Sequence, residues 1–249
     1  MNGRIFVLWL QGKEKMPELV RLCLESVYRN ANNHEVVFLS RKNLYEWVDP
    51  LPSRIEEKFN KGIFPKQLIA DYTRLACLEK YGGLWLDATV YVSSPITDNV
   101  FNNPFFTIIR KESNDKDITG KISTFVMGRA VSNKNSQRMF AFTKDMMINY
   151  FLKEDDLINY LLLENIMNIA INKDQMLNDL LKKYYKDKKN VLGLERILNK
   201  EYDSSELSTL LSENIFNKLN FHVKHLRKIS NGKLTNYGYL VKNSGENFG

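Results

Sequence analysis

The chain of 249 residues carries a net charge of +7, and its 43% hydrophobic and 26% charged residues allow a substantial core and are ordinary for a soluble protein. The positive charge favours anionic partners, namely nucleotide phosphates, an anionic lipid surface or nucleic acid, but no nucleic-acid-binding motif is present and we expect no nucleic acid partner. Two cysteines exclude a disulfide framework, and no apolar run is long enough to span a membrane. We therefore expect a cytoplasmic protein that can also make peripheral contact with the inner face of the cell membrane.

The N-terminal segment predicts a strand, a helix and a second strand. Residues 4–10 form a short apolar run, with Trp9 near its end beside a glycine turn, which indicates a buried strand. Pro17 fits the first turn of a helix, and residues 34–39 have the composition of a strand. This order predicts a parallel βαβ unit with a right-handed crossover. For Trp9 the plain interpretation is a core tryptophan.

A long amphipathic helix is predicted next. Short helical pieces interrupted by prolines are expected over residues 41–65. Apolar residues then recur at three- and four-residue spacing over residues 66–81, which is typical of a helix with one buried face. Gly82 and Gly83 follow, and glycine takes the left-handed conformation found at helix ends without steric cost.

Three polar residues belong to this central stretch. Residues 84–86 predict a buried strand that ends at Asp87, and Val90–Val92 is expected to continue the same sheet. A carboxylate at the C-terminal end of a central strand lies at the edge where open α/β sheets bind ligands. Asp71 and Arg74 share one face of the preceding helix. Taken singly, these two residues suggest a surface ion pair and Asp87 a strand-end cap.

The following part of the chain predicts two more strands and then mostly helices. Residues 105–109 and 122–128 are strand-like and flank a polar surface loop at residues 110–121. Amphipathic helices are expected over residues 135–150 and 155–171.

Three features of the C-terminal half bear on function. Glu164 lies in an apolar stretch, so it is either a buried carboxylate that needs a partner or an exposed residue on the narrow polar side of its helix. The basic run Lys182–Lys189 is either a solvated helix end or an anchor for anionic lipids. A last strand is expected at residues 215–219, followed by His222 and His225, which have the spacing of a metal pair, although nothing nearby completes a zinc site.

The central stretch carries a resemblance to a known family. Asp71-x-x-Arg74, then Tyr81-Gly82-Gly83, then W-L-D-A-T at residues 85–89 resembles the capsular polysaccharide synthesis-type glycosyltransferases. These are D-x-D sugar-binding glycosyltransferases related to the glucosylating domains of clostridial toxins. Residues 7–12 and 31–36 support the resemblance, which spans at least residues 4–109 and continues more weakly to about residue 225.

The resemblance implies a fold and an activity. The fold would be α/β, with a GT-A-like, Rossmann-type nucleotide-sugar-binding sheet flanked by helices. We expect one domain over residues 1–249, in which residues 1–130 form the α/β core and residues 131–249 a mostly helical part that completes the donor and acceptor sites. The activity would be metal-assisted transfer of a hexose, with retention of configuration, from a nucleoside diphosphate sugar such as UDP-hexose to a bacterial polysaccharide or lipid-linked glycan. The alternative is a catalytically silent module of the same fold that binds nucleotide or glycan.

The resemblance also implies roles for individual residues. The catalytic residues would be Asp87, Arg74 and Glu164, with Glu164 facing the donor sugar. The nucleotide sugar would be bound by Trp9, Asp71, Arg74, Lys218 and Lys224, and Trp9 would stack on the base. A divalent cation, Mn²⁺ or Mg²⁺, would be bound by Asp87, Thr89 and His222.

Two of these assignments leave alternatives. Lys218, His222 and Lys224 are alternatives for the residue that returns from the C-terminal part to the metal and diphosphate. Ser123 and Thr124 are weak acceptor-site candidates, with exposed strand hydroxyls as the favoured interpretation. The sequence departs from D-x-D at Thr89, where a neutral hydroxyl stands in place of the second carboxylate.

Overall fold

The computed structural model describes residues 3–111, 122–159 and 161–244. The strands in these ranges are β1 (Arg4–Leu8), β2 (Glu35–Leu39), β3 (Gly83–Asp87), β4 (Val90–Val92), β5 (Phe106–Thr107), β6 (Val126–Arg129) and β7 (Phe216–Lys218). The α-helices are α1 (Glu18–Asn30), α2 (Leu44–Trp47), α3 (Ser53–Asn60), α4 (Gln67–Tyr81), α5 (Asp98–Asn102), α6 (Lys134–Lys153), α7 (Leu162–Asn172), α8 (Gln175–Tyr185), α9 (Gly193–Ile197), α10 (Ser204–Glu213) and α11 (Asn236–Asn243). Most of the surface loop predicted at residues 110–121 lies outside the described residues.

A five-stranded mixed sheet with helices on both faces confirms the predicted α/β class. Its strand order is β2-β1-β3-β6-β5, with β2, β1 and β3 parallel and β6 and β5 antiparallel to their neighbours. The predicted βαβ unit is therefore confirmed as β1-α1-β2.

The core lies in two layers because side chains alternate across a strand. On β1, Phe6 and Leu8 pack into the layer that contains α4 and α6, whereas Ile5 and Val7 pack into the layer that contains α1. In the part of the chain that the structure describes, no helix is both long and apolar enough to cross a membrane.

The turn from α4 into β3 depends on its two glycines, as the sequence predicted. Gly82 and Gly83 have φ angles of +65° and +89°. A Cβ atom on Gly83 would lie 2.4 Å from the carbonyl oxygen of Arg4 in the neighbouring strand, so a side chain cannot fit there. The buried Arg129 donates hydrogen bonds to the carbonyls of Leu78 and Glu79 and thereby caps the last turn of α4.

The expected continuation of the main sheet by β4 is wrong. Val90–Val92 pairs instead with β7 in a separate antiparallel two-stranded sheet. The hydroxyl oxygen of Ser26 accepts a hydrogen bond from the backbone N–H of Val92, and the side-chain amide of Asn30 donates to the Val92 carbonyl. These α1 side chains provide hydrogen-bond partners for the backbone at the end of β4, so that β4 packs on α1 and not in the main sheet.

Boundaries in the second half also differ from the prediction. The strand-like segments shrink to Phe106–Thr107 and Val126–Arg129. The helix expected from residue 155 begins only at Leu162, and Ile158 is 79% exposed. Tyr150 explains this difference, because its hydroxyl donates to the Asp156 carbonyl and accepts from the Ile158 N–H, two backbone groups that a helix would otherwise use.

Candidate functional site

A cleft opens at the C-terminal ends of the parallel strands β1 and β3, where Leu8 and Asp87 are paired in register. Its volume is about 420 Å³, which lies within the range of sites for small ligands. We call it the Asp87 cleft and define it by the predicted site residues that line it: Trp9, Asp71, Arg74, Asp87, Thr89, Glu164, Lys218 and His222. Lys224 does not line the cleft; its side chain is exposed and its carbonyl accepts a hydrogen bond from Asn199.

Asp87 lies at the centre of a charged network. Its Oδ1 accepts hydrogen bonds from Nη2 of Arg74 at 2.7 Å and from Nε1 of Trp85 at 3.0 Å, and its Oδ2 accepts from Nζ of Lys218 at 3.0 Å. Burial raises the pKa of Asp87, but the attraction of Lys218 and Arg74, together with these hydrogen bonds, outweighs burial and places the pKa well below its usual value. The Asp87 carboxylate is therefore ionised at neutral pH.

Arg74 connects Asp87 to the second carboxylate of the cleft. Its side chain is only 5% exposed, and its Nη1 donates to Oδ1 of Asp71 at 3.0 Å. The guanidinium carbon lies 5.4 Å from the ring centroid of Trp85, so the ring stabilises the cation through a cation–π contact. Burial raises the pKa of Asp71, Arg74 opposes that rise, and the negative charge of Asp87 adds to it. Because Arg74 is buried and bridges two carboxylates, the interpretation of Asp71 and Arg74 as a simple surface ion pair is excluded.

Lys218 reaches the cleft because β7 pairs with β4. The register places Val90 opposite Lys218, and the N–H of Leu219 donates to the carbonyl of Thr89 at 2.9 Å. The Lys218 Nζ then lies 2.6 Å from Oγ1 of Thr89 as well as 3.0 Å from Asp87. The ring centroid of Phe125 lies 5.5 Å from the ammonium nitrogen. Of the alternatives for the residue that returns from the C-terminal part, Lys218 therefore makes direct contact with Asp87.

Aromatic side chains form one wall of the cleft. Trp9 is half-buried, packs partly against the core and also lines the cleft. Phe221 meets it edge to face, with ring centroids 5.3 Å apart, and His222 packs on Phe221. Sequence reasoning assigned no role to Phe221 or to the indole N–H of Trp85. The position of Phe221 directly before a candidate histidine was the available signal.

The remaining candidates divide between the cleft and the core. Glu164 lies in the first turn of α7, is buried and lines the cleft, which settles its two open alternatives in favour of burial. Thr124 lines the cleft, whereas Ser123 is buried, so the expectation of an exposed Ser123 hydroxyl is wrong. Nε2 of His225 lies 3.0 Å from Oε1 of Glu195, so His225 does not form a metal-binding pair with His222.

The proposed ligands do not fit a divalent cation in their present arrangement. Oδ2 of Asp87 and Oγ1 of Thr89 are both hydrogen-bonded to the ammonium group of Lys218, which occupies the space between them. Mg²⁺ and Mn²⁺ bind oxygen ligands, usually one or two carboxylates together with substrate phosphates and water, so the carboxylate oxygen that faces the diphosphate has to be free of other cations. Among the described residues no group of three or more His, Cys, Asp or Glu side chains could hold a metal ion. The ammonium group of Lys218 therefore disfavours binding of a divalent cation by the predicted set of Asp87, Thr89 and His222.

Comparisons with known proteins agree with the motif analysis. A family model described as capsular polysaccharide synthesis protein matches residues 1–238, well beyond the residues 4–109 that carried the resemblance. Thirty-four chains of solved structures also match. One of them, described as "PaToxG Glycosyltransferase", has 12% sequence identity and a TM-score of 0.50, and the match covers 87% of this chain and 89% of that chain. At this identity the likeness shows the fold alone. No curated protein matches the chain.

Proposed function

The chain belongs to the family of capsular polysaccharide synthesis proteins and has a glycosyltransferase fold, and from this premise we propose that it is a glycosyltransferase that moves a hexose from a nucleoside diphosphate sugar to a glycan. The proposed donor is a UDP-hexose, and the proposed acceptor is a hydroxyl group of a bacterial polysaccharide or a lipid-linked glycan.

The observation that carries this proposal is the charged network around Asp87 at the end of a parallel strand. An ammonium group has three N–H donors, and Lys218 uses two of them on Asp87 and Thr89. Its side chain is 26% exposed, so the third donor remains available to an oxygen of the donor diphosphate. A fixed cation at this position stabilises the negative charge that develops on the leaving diphosphate.

The other cleft residues suit the remaining parts of a nucleotide sugar. Asp71 and Asp87 are held by Arg74 and are acceptors for hydroxyl groups of the ribose and the hexose. Trp9 and Phe221 offer aromatic surface to a nucleobase. Glu164, at the opening of α7, is the carboxylate that we assign to the donor sugar.

The proposed reaction is balanced without a further co-reactant. The bond between C1 of the hexose and the diphosphate oxygen breaks, and its electron pair stays on the diphosphate. The acceptor oxygen bonds to C1, and its proton passes to the departing diphosphate. Retention of configuration and assistance by Mn²⁺ or Mg²⁺ stay predictions of the resemblance, and the contacts of Lys218 argue against the metal.

A donor screen tests the proposal. The protein is incubated with a panel of UDP-hexoses, and UDP release is measured with and without glycan acceptors. Release that depends on one sugar and is lost in Asp87→Ala supports the proposed enzyme. UDP binding without release for any sugar, in the presence of acceptors, would instead support the catalytically silent binding module.

Peripheral contact with an anionic membrane is a separate proposal for the run Lys182–Lys189. Within this run Lys182 is paired with Asp179 and Lys189 with Asp187, so part of its charge is already balanced. Any binding should therefore be weak, salt-sensitive and restricted to anionic vesicles. Equal sedimentation with anionic and neutral vesicles would contradict it.

A further inference from the structure

We infer that the ammonium group of Lys218 takes the place of a divalent cation in the Asp87 cleft, so that hexosyl transfer by this chain needs no metal. The inference rests on the proposed function and concerns how the same cleft neutralises the leaving diphosphate.

The position of the ammonium group is the first observation. It lies 3.0 Å from Oδ2 of Asp87 and 2.6 Å from Oγ1 of Thr89, which are the two side chains at the first and third positions of the D-A-T block. A cation that bridged these two side chains would have to share this space. A single ammonium group already provides the bridge.

Lys218 is held in this position by the fold. The β4–β7 ladder pairs Lys218 with Val90, and backbone hydrogen bonds from Lys218 to Val191 and from Leu219 to Thr89 fix both sides of the residue. Phe125 lies 5.5 Å from the ammonium nitrogen. The hydrogen bond from Leu219 to Thr89 joins the residue after Lys218 directly to the backbone of the D-A-T block.

The charges in the ion pairs that join Lys218, Asp87, Arg74 and Asp71 are already matched. Two carboxylates, Asp71 and Asp87, face two cations, Arg74 and Lys218, through contacts of 2.7–3.0 Å. A divalent ion beside Asp87 would be repelled by both cations at close range. Thr89 fits the same logic, because a neutral hydroxyl accepts a hydrogen bond from an ammonium group but adds no second charge for a metal.

During transfer the role of Lys218 is electrostatic. When the bond between C1 and the diphosphate oxygen breaks, the electron pair stays on the diphosphate, whose new negative charge faces the third N–H of Lys218. The proton of the acceptor hydroxyl goes to the same diphosphate, and no bond to Lys218 is made or broken. Arg74 is too deeply buried to replace it and instead fixes Asp87.

The experiment compares four proteins: wild type, Lys218→Ala, the double variant Lys218→Ala with Thr89→Asp, and Lys228→Ala. Lys228→Ala is the control, because it removes the same charge as Lys218→Ala from an exposed residue that lies outside the cleft. Mn²⁺ binding is measured by electron paramagnetic resonance, UDP binding by isothermal titration with EDTA or Mn²⁺, and melting temperature for every variant.

For wild type and Lys228→Ala we expect no stoichiometric Mn²⁺ binding and the same UDP affinity in EDTA and in Mn²⁺. Lys218→Ala should weaken UDP binding in EDTA by about 10- to 150-fold, the loss for one charge-assisted hydrogen bond. The double variant, which restores D-x-D and removes the ammonium group, should bind Mn²⁺ and recover UDP affinity only when Mn²⁺ is present.

Stoichiometric Mn²⁺ binding by wild type, or UDP binding that EDTA abolishes, would overturn the inference while leaving the proposed function intact. Failure of the proposed function has a different signature, namely no binding of UDP or other nucleoside diphosphates under either condition. In that case Mn²⁺ binding by the double variant and not by wild type would still support Lys218 as the occupant of the cation position.

Discussion

Replacement of Asp87 by asparagine tests the charged network most directly, because it nearly keeps the shape and removes the charge. An asparagine offers one acceptor oxygen, whereas Asp87 accepts from Arg74 and Trp85 on one oxygen and from Lys218 on the other. Whichever way the amide is turned, its NH₂ group faces an N–H donor, and Arg74 keeps its charge with only 5% of its side chain exposed.

The expected loss follows from the burial of Arg74. Removal of one partner from a buried ion pair costs about 3–5 kcal/mol of the free energy of unfolding. For a chain of this size, such a loss corresponds to a fall in melting temperature of roughly 6–20 °C. Glu206→Gln is the matched control, because it breaks the exposed pair with Lys200 and should cost only about 0–1 kcal/mol.

The pH dependence gives a second test of the same network. Folding lowers the pKa of Asp87, so its contribution is complete above its unfolded pKa of about 4 and is lost as the pH falls through the lower folded pKa. Denaturant titrations should therefore show a constant difference between wild type and Asp87→Asn at neutral pH and a smaller difference in strong acid. A neutral-pH difference no larger than that of Glu206→Gln would refute the assigned network.

Three further substitutions test the cleft and the turn that leads into it. Trp9→Ala should weaken UDP binding by about 1–3 kcal/mol in isothermal titration because stacking surface is lost, and unchanged affinity in a folded variant would leave Trp9 a core residue only. Arg74→Lys should lower turnover about 10- to 150-fold with the fold intact, because one ammonium group cannot replace a two-pronged bridge between carboxylates; wild-type kinetics would contradict this. Gly83→Ala should lower the free energy of unfolding by more than ~1 kcal/mol, since its Cβ would meet the Arg4 carbonyl at a positive φ. Gly62→Ala, also at positive φ but with no atom within 4 Å, is the control and should cost less in the same denaturant titration.

The sequence predicts well those features that depend on neighbouring residues. The helical spacing before Gly82 and the apolar run up to Asp87 are local patterns, and the structure confirms both elements with their ends. Helix geometry predicts that Asp71 and Arg74 share one face of α4. It does not predict their burial, because burial depends on which elements pack over that face.

Features that depend on pairing between distant segments could not be predicted in the same way. The composition of Val90–Val92 indicates a strand but not its partner, and β7 lies far along the chain. Lys218 could therefore be proposed only together with His222 and Lys224. The start of α7 was missed for a related reason, since the side chain that satisfies the preceding backbone belongs to the previous helix.

The pairing of β4 with β7 has a consequence for the order in which the protein becomes competent during its synthesis. Asp87 and Lys218 are 131 residues apart, so the ribosome must release most of the chain before the ammonium group can meet its carboxylate. Loop closure has to precede a contact between segments this far apart, so the contact forms only after both segments have been synthesised. Nascent chains that contain Asp87 but end before Lys218 therefore lack the ammonium group proposed to bind the donor diphosphate. Stalled nascent chains that end before Phe216 should fail to retain UDP, whereas chains that expose the residues up to Asn243 should retain it.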